Sequence, residues 1–254
     1  MGTGAITQYI DVAQLVLYMF WLFFFGLVYY LVRENHREGY PMDNGRDEGG
    51  PRIEGWPPVP ASKSYLHEDG HVTLSPDPDR PDGVHRSQPA HGWNGAPLDP
   101  VGNPLTAGVG PGAWAQRADV PDRTHHGDVK IVPLRVANDH GVSHRDVDPR
   151  GLPVWGADHE EAGKVVDLWV DRSEMMFRYI EMSLPDGSRR LVPMTFARIK
   201  RDGVHVHALL AHQFSDVPVT RSPEQVTFLE EEKICAVYGA GTLYATPDRM
   251  EPLA

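Results

Sequence analysis

The chain has 254 residues, 41% of them apolar, and its 35 acidic side chains against 24 basic ones give a formal charge of −11. That balance excludes nucleic acid as a partner and a broad polybasic lipid-binding face, because both need clustered Lys and Arg to neutralise phosphate. A single cysteine, Cys235, excludes an internal disulfide and a cysteine-based zinc site, and it suits a reducing compartment.

Val12 to Val32 contains no Asp, Glu, Lys, Arg, His or Pro. Its 21 residues, at about 1.5 Å each along a helix, reach about 32 Å, which matches a hydrocarbon core of about 30 Å. The stretch predicts one bilayer crossing. A signal peptide would need a basic start and a small-residue cleavage site, whereas Met1 to Asp11 holds no Lys or Arg and the run ends Tyr29, Tyr30, Leu31, Val32. Arg33, His36 and Arg37 follow the span and only Asp11 is charged before it, so residues 1–11 are expected in the periplasm and the body in the cytoplasm.

From Pro41 to Pro111 lie 13 of the 23 prolines and 11 of the 25 glycines, with no sustained helical or strand period. Sparse regular structure follows. Trp56, Tyr65, Leu66, Val72, Leu74, Trp93, Leu98, Leu105 and Trp114 are spaced through it as anchors, which favours an extended segment laid on a partner over a free tether. We place this segment at 33–114 and a cytoplasmic domain at 115–254.

Lys130 to Val136, broken by Pro133, reads as an edge strand or an extended crossing of the membrane surface. Beyond Gly151 the pattern is that of a small antiparallel barrel. Its strands are expected at Leu152 to Trp155, Lys164 to Val170, Phe177 to Leu184, Arg189 to Met194, Phe196 to Lys200 and Val204 to Leu209, with Phe177 to Leu184 buried on one face and wet on the other. Ser222 with Gln225 forms a candidate capping box, and a short helix is expected over Leu229 to Tyr238, closed by Gly239 or Gly241. The fold class is thus one N-terminal transmembrane helix plus a mainly β domain with a short C-terminal helix.

Two clusters could carry chemistry. Thr124-His125-His126-Gly127-Asp128 sets two imidazoles and a carboxylate within five residues, with Asp119 and Asp122 upstream; a solvated loop, a proton-entry site and an adventitious divalent metal site on His125, His126 and Asp128 all fit. Asp171-Arg172-Ser173-Glu174 reads by itself as a charged turn. His205 and His207 share a strand face at a spacing that can chelate a metal, though a solvated face explains them as well. The glycines around Gly108 to Gly112 lack the Lys of a phosphate loop, and no nucleophile stands with a base, so no independent active site is expected.

The span followed by Arg33-Glu34-Asn35-His36-Arg37-Glu38-Gly39-Tyr40-Pro41, then Gly108-Val109-Gly110-Pro111, Lys130-Ile131-Val132-Pro133, Gly151-Leu152-Pro153-Val154, Ala162 through Asp171 (AGKVVDLWVD) and Glu231-Glu232-Lys233-Ile234-Cys235 resembles the H subunit of the purple bacterial photosynthetic reaction centre, nearly end to end. The resemblance implies a PRC barrel and a subunit of the bacterial inner, photosynthetic (chromatophore) membrane. Its implied partners are the L and M subunits, which carry bacteriochlorophyll, bacteriopheophytin, quinones and non-haem iron; membrane lipids, antenna proteins and a cytochrome subunit are further candidates. This chain would hold no cofactor itself, in keeping with a span that lacks a histidine for axial ligation. The resemblance also implies proton conduction to the secondary quinone, through an entry at the Thr124 to Asp128 cluster and through Glu174 and Asp171. Where the family has Asp, His and His, this chain has Thr124, His126 and Asp128, so only His126 is identical. A membrane-tethered PRC-barrel adaptor for other proteins is the alternative reading; a membrane-anchored metal enzyme built on the histidines is a third.

Overall fold

The structure, a computed structural model, describes residues 4, 11–40, 55–68, 70–77, 86–92 and 96–250. Trp93, Pro41 and most of residues 1–11 lie outside the described residues. The chain divides into two compact units, Met1–Asp82 with Gly92–Ala96 and Gly83–His91 with Pro97–Ala254.

In the first unit, helix α1 (Val12–Asn35) covers the predicted span and runs three residues past it. Asp11 caps it, accepting the Gln14 amide at 2.7 Å, and the helix buries no residue within the chain, with a mean hydropathy of 2.2. An unburied, uniformly apolar helix has to find its apolar surroundings outside the chain. Its last turn is tied to a hairpin, β1 (Lys63–Leu66) against β2 (Val72–Ser75). Arg37 pairs with Glu34 at 2.9 Å and donates to the carbonyls of Ala61 and Ser75, while Lys63 reaches Glu34 at 2.5 Å. Tyr65, Leu66, Val72, Leu74 and Trp56 remain exposed.

The second unit begins with a short pair, β3 (Ser87–Pro89) and β4 (Leu98–Pro100), and then builds one sheet. Its strands are β5 (Ile131–Pro133), β6 (Pro153–Trp155), β7 (Glu161–Asp171), β8 (Met176–Ser183), β9 (Arg189–Pro193), β10 (Ala197–Lys200) and β11 (Gly203–Val206). The order is β10-β11-β6-β7-β8-β9, and β5 pairs with β7. The long strand β7 thus carries β8 along one edge and two short strands on the other, β6 near its start and β5 at its end. Helix α2 (Phe228–Tyr244) covers the sheet, with Ile234, Val237 and Tyr238 packed into a core that includes Trp169, Ile180, Val192 and Phe214.

Several expectations change in detail. The strand path is open, because β9 and β10 are joined through a 3₁₀ turn at Met194–Phe196 without pairing, and β11 runs parallel to β6. Strand β8 is not wet on one face: Tyr179, Ile180, Glu181 and Met182 are all buried, since Tyr179 lies under α2 and Glu181 is enclosed by Arg135 and Trp169. Leu105 is 2% exposed and belongs to this chain's own core, so it is no partner anchor. Helix α2 starts at Thr227, whose hydroxyl and Glu230 form the capping box that Ser222 and Gln225 do not. It also runs through Gly239 and Gly241 to Tyr244; a Cβ at Gly239 would stand 2.3 Å from the Pro111 carbonyl and one at Gly241 2.3 Å from that of Ala208. Those glycines allow close approach of backbone and do not end the helix. His207 falls just beyond β11, so it does not share a strand face with His205.

Candidate functional site

The His-rich cluster sits at the tip of a tight turn. The Gly127 amide donates to the Thr124 carbonyl at 2.9 Å, the Thr124 amide to the Asp128 carbonyl at 2.8 Å, and Gly127 adopts φ +88°, which a glycine takes without strain. Arg123 bridges Val129 across the turn, and the Lys130 amide donates to the Asp122 carbonyl. His125, His126 and Asp128 are all exposed there, with the two imidazole rings 5.5 Å apart, edge to face. Among the described residues no three His, Cys, Asp or Glu side chains assemble into a metal-holding group, so the turn brings the two histidines together without a three-ligand set.

The base of the turn is fixed at both ends. The Asp119 carboxylate accepts the Thr227 hydroxyl at 2.8 Å and Pro121 bridges Thr227, which clamps this segment to the start of α2. That hydrogen bond, with Arg221 beside it, holds the Asp119 carboxyl below the usual range. On the other side Ile131 pairs with Asp171, which sets Lys130 beside the end of β7. Its ammonium lies 3.2 Å from Asp122 and 3.7 Å from Asp171, and the hydrogen bond to Asp122 keeps it protonated above the ordinary lysine range, with Asp171 and Glu174 adding attraction.

Asp171 is fully buried and its two oxygens are saturated. One accepts the amides of Ser173 (2.9 Å) and Glu174 (3.0 Å); the other accepts Arg178 at 3.2 Å. Arg178 reaches it through a bulge: Trp169 faces Tyr179 and Val170 faces Phe177, so Arg178 has no partner in the ladder. Glu174 itself is exposed on this chain, at the head of the turn that Asp171 organises. Asp122, Lys130, Asp171 and Arg178 therefore form one chain of ion pairs that starts beside the histidine turn, and Asp171 fixes the backbone of Glu174 at its far end. Asp171 and Glu174 were legible as a pair; Lys130 and Arg178 were not. An aspartate directly after the apolar run Leu168-Trp169-Val170 was the available signal, because such a carboxylate needs cations.

Among the described residues one helix, α1, is long and apolar enough to cross a membrane, and it precedes the sheet in the chain. Residues 142–213, which carry β6 to β11, match the PRC-barrel domain. Residues 4–136, just over half of the chain, match the family described as the photosynthetic reaction centre, H-chain N-terminal region. The chain belongs to the photosynthetic reaction-centre H-chain family.

Proposed function

We propose that this chain stabilises the L and M core of a photosynthetic reaction centre, caps its quinone region and conducts protons from the cytoplasm to the secondary quinone. Family membership supports the assembly. The proton-conducting role is carried by one observation, the line in which Lys130 bridges Asp122 and Asp171 while Asp171 accepts the Glu174 amide. His126, with His125 and Asp128, serves as the entry, since all three side chains are exposed at the tip of the turn. Glu174 delivers protons from its exposed place at the head of the turn that Asp171 organises. Pigments, quinones and iron belong to the partners. The basic residues after α1 favour a periplasmic N-terminus and a cytoplasmic body in a bacterial inner membrane.

Glu174→Gln tests this reading in the intact complex. Assembly and primary charge separation persist while flash-induced transfer of the second electron to the quinone slows; an unchanged second-electron rate refutes the relay. Purification of the chain from native membranes brings bacteriochlorophyll absorption with it, and its absence refutes the assembly.

A further inference from the structure

Glu231 lies in the first turn of α2, beside the charged line but outside it. Its neighbours are matched: Asp122 and Asp171 hold Lys130 and Arg178, and Glu232 holds Arg117 at 3.6 Å. Glu231 makes no ion pair among the described residues, and its carboxylate is half-buried with one hydrogen bond, 2.6 Å from the Tyr179 hydroxyl to Oε2. The groups facing it are Tyr179 and Arg178 from β8, Arg117 and Asp122 from the segment ahead of β5, and Cys235 from its own helix. Burial raises the Glu231 carboxyl above its ordinary range and the charge on Asp122 adds to this, while Tyr179, Arg117 and Arg178 oppose it.

We propose that Glu231 is the proton store of the cluster, binding a proton when negative charge on the Asp122 to Asp171 line rises and releasing it when that charge falls. The proposal rests on the proton-conducting reading above. Protonating Asp122 or Asp171 would forfeit an ion pair, whereas Glu231 would forfeit only the longer-range attraction of Arg117 and Arg178, so neutralisation costs least there. The step is acid–base only: a proton from cytoplasmic water adds to Oε1, and Oε2 keeps the Tyr179 hydrogen bond. Tyr179 sets the working range, since its hydroxyl favours the ionised carboxylate.

The test is flash-induced net proton uptake, followed across pH in the assembled complex for wild type, Glu231→Gln and Tyr179→Phe, with Glu174→Gln alongside. Glu231→Gln loses uptake amplitude above the ordinary carboxylate range and flattens the pH profile; Tyr179→Phe moves the uptake window to higher pH. Wild-type uptake at every pH in Glu231→Gln overturns the proposal. Should Glu231→Gln fail to assemble, a wild-type profile in Tyr179→Phe overturns it instead. Loss of amplitude in Glu231→Gln with an unchanged second-electron rate in Glu174→Gln upholds the store and removes only the relay.

Discussion

Cys235 shares the Glu231 pocket, and burial, with the Glu231 charge adding, pushes its thiol up to about 11. Relative to an ordinary thiol this lowers the thiolate fraction near pH 8 by about 100-fold. Iodoacetamide labelling at that pH, followed by mass spectrometry, should therefore be slower in the folded chain than in urea by about that factor. Glu231 has a second measurable signature. Its folded-state pKa is raised, so the folded chain holds this proton more tightly than the unfolded chain; the stabilisation is complete below the ordinary carboxylate range and is lost as pH rises through the raised value. A melting temperature measured in detergent across that window should fall less steeply in Glu231→Gln than in wild type, and parallel slopes would place the titration elsewhere.

Among the elements, α2 and β7 hold the domain in shape. Replacing Gly241 by Ala adds about 1 kcal/mol of helix propensity, yet the new Cβ meets the Ala208 carbonyl at 2.3 Å and the Leu209 side chain at 2.6 Å. Backbone cannot swing aside as a side chain does, so overpacking of about 1–3 kcal/mol should prevail and lower the melting temperature. Arg135 joins strands differently: its guanidinium lies 3.1 Å from Asp167 and 2.5 Å from Glu181, both nearly fully buried, and also donates to the Pro223 carbonyl. Arg135→Leu removes the nearest cation of both carboxylates, leaving Glu181 only Arg189 at 3.8 Å, and should cost about 3 kcal/mol in urea unfolding. Arg135→Leu combined with Glu181→Leu should recover part of that loss. The sequence announced α1 through its unbroken apolar run and most strands through alternation and turn residues, because those signals are local. It concealed the extent of α2, since Gly239 and Gly241 look like terminators until Pro111 and Ala208 are seen against them. It concealed Arg178 for a related reason: a strand bulge changes which residue lacks a cross-strand partner, and only pairing reveals it.

For the whole molecule, the exposed Trp56, Tyr65, Leu66, Val72 and Leu74, with the unburied α1, leave the first unit more apolar surface than a lone soluble chain normally presents. Limited proteolysis should cut residues 55–77 rapidly in the isolated chain and slowly in the complex; equal rates would remove the reading of this segment as partner-bound. The shared edge of β7 has a consequence of another kind. Strand β5 comes from the stretch that matches the H-chain N-terminal region, and β6 from the stretch that matches the PRC barrel, so the chain acts as its own strand donor. A fragment starting at residue 142 would keep β6 but bare the amides and carbonyls of Trp169 to Asp171, an open edge of the kind that recruits other chains. Such a fragment should self-associate in light scattering, and a peptide of residues 129–136 supplied in trans should restore the monomer by filling the vacated groove.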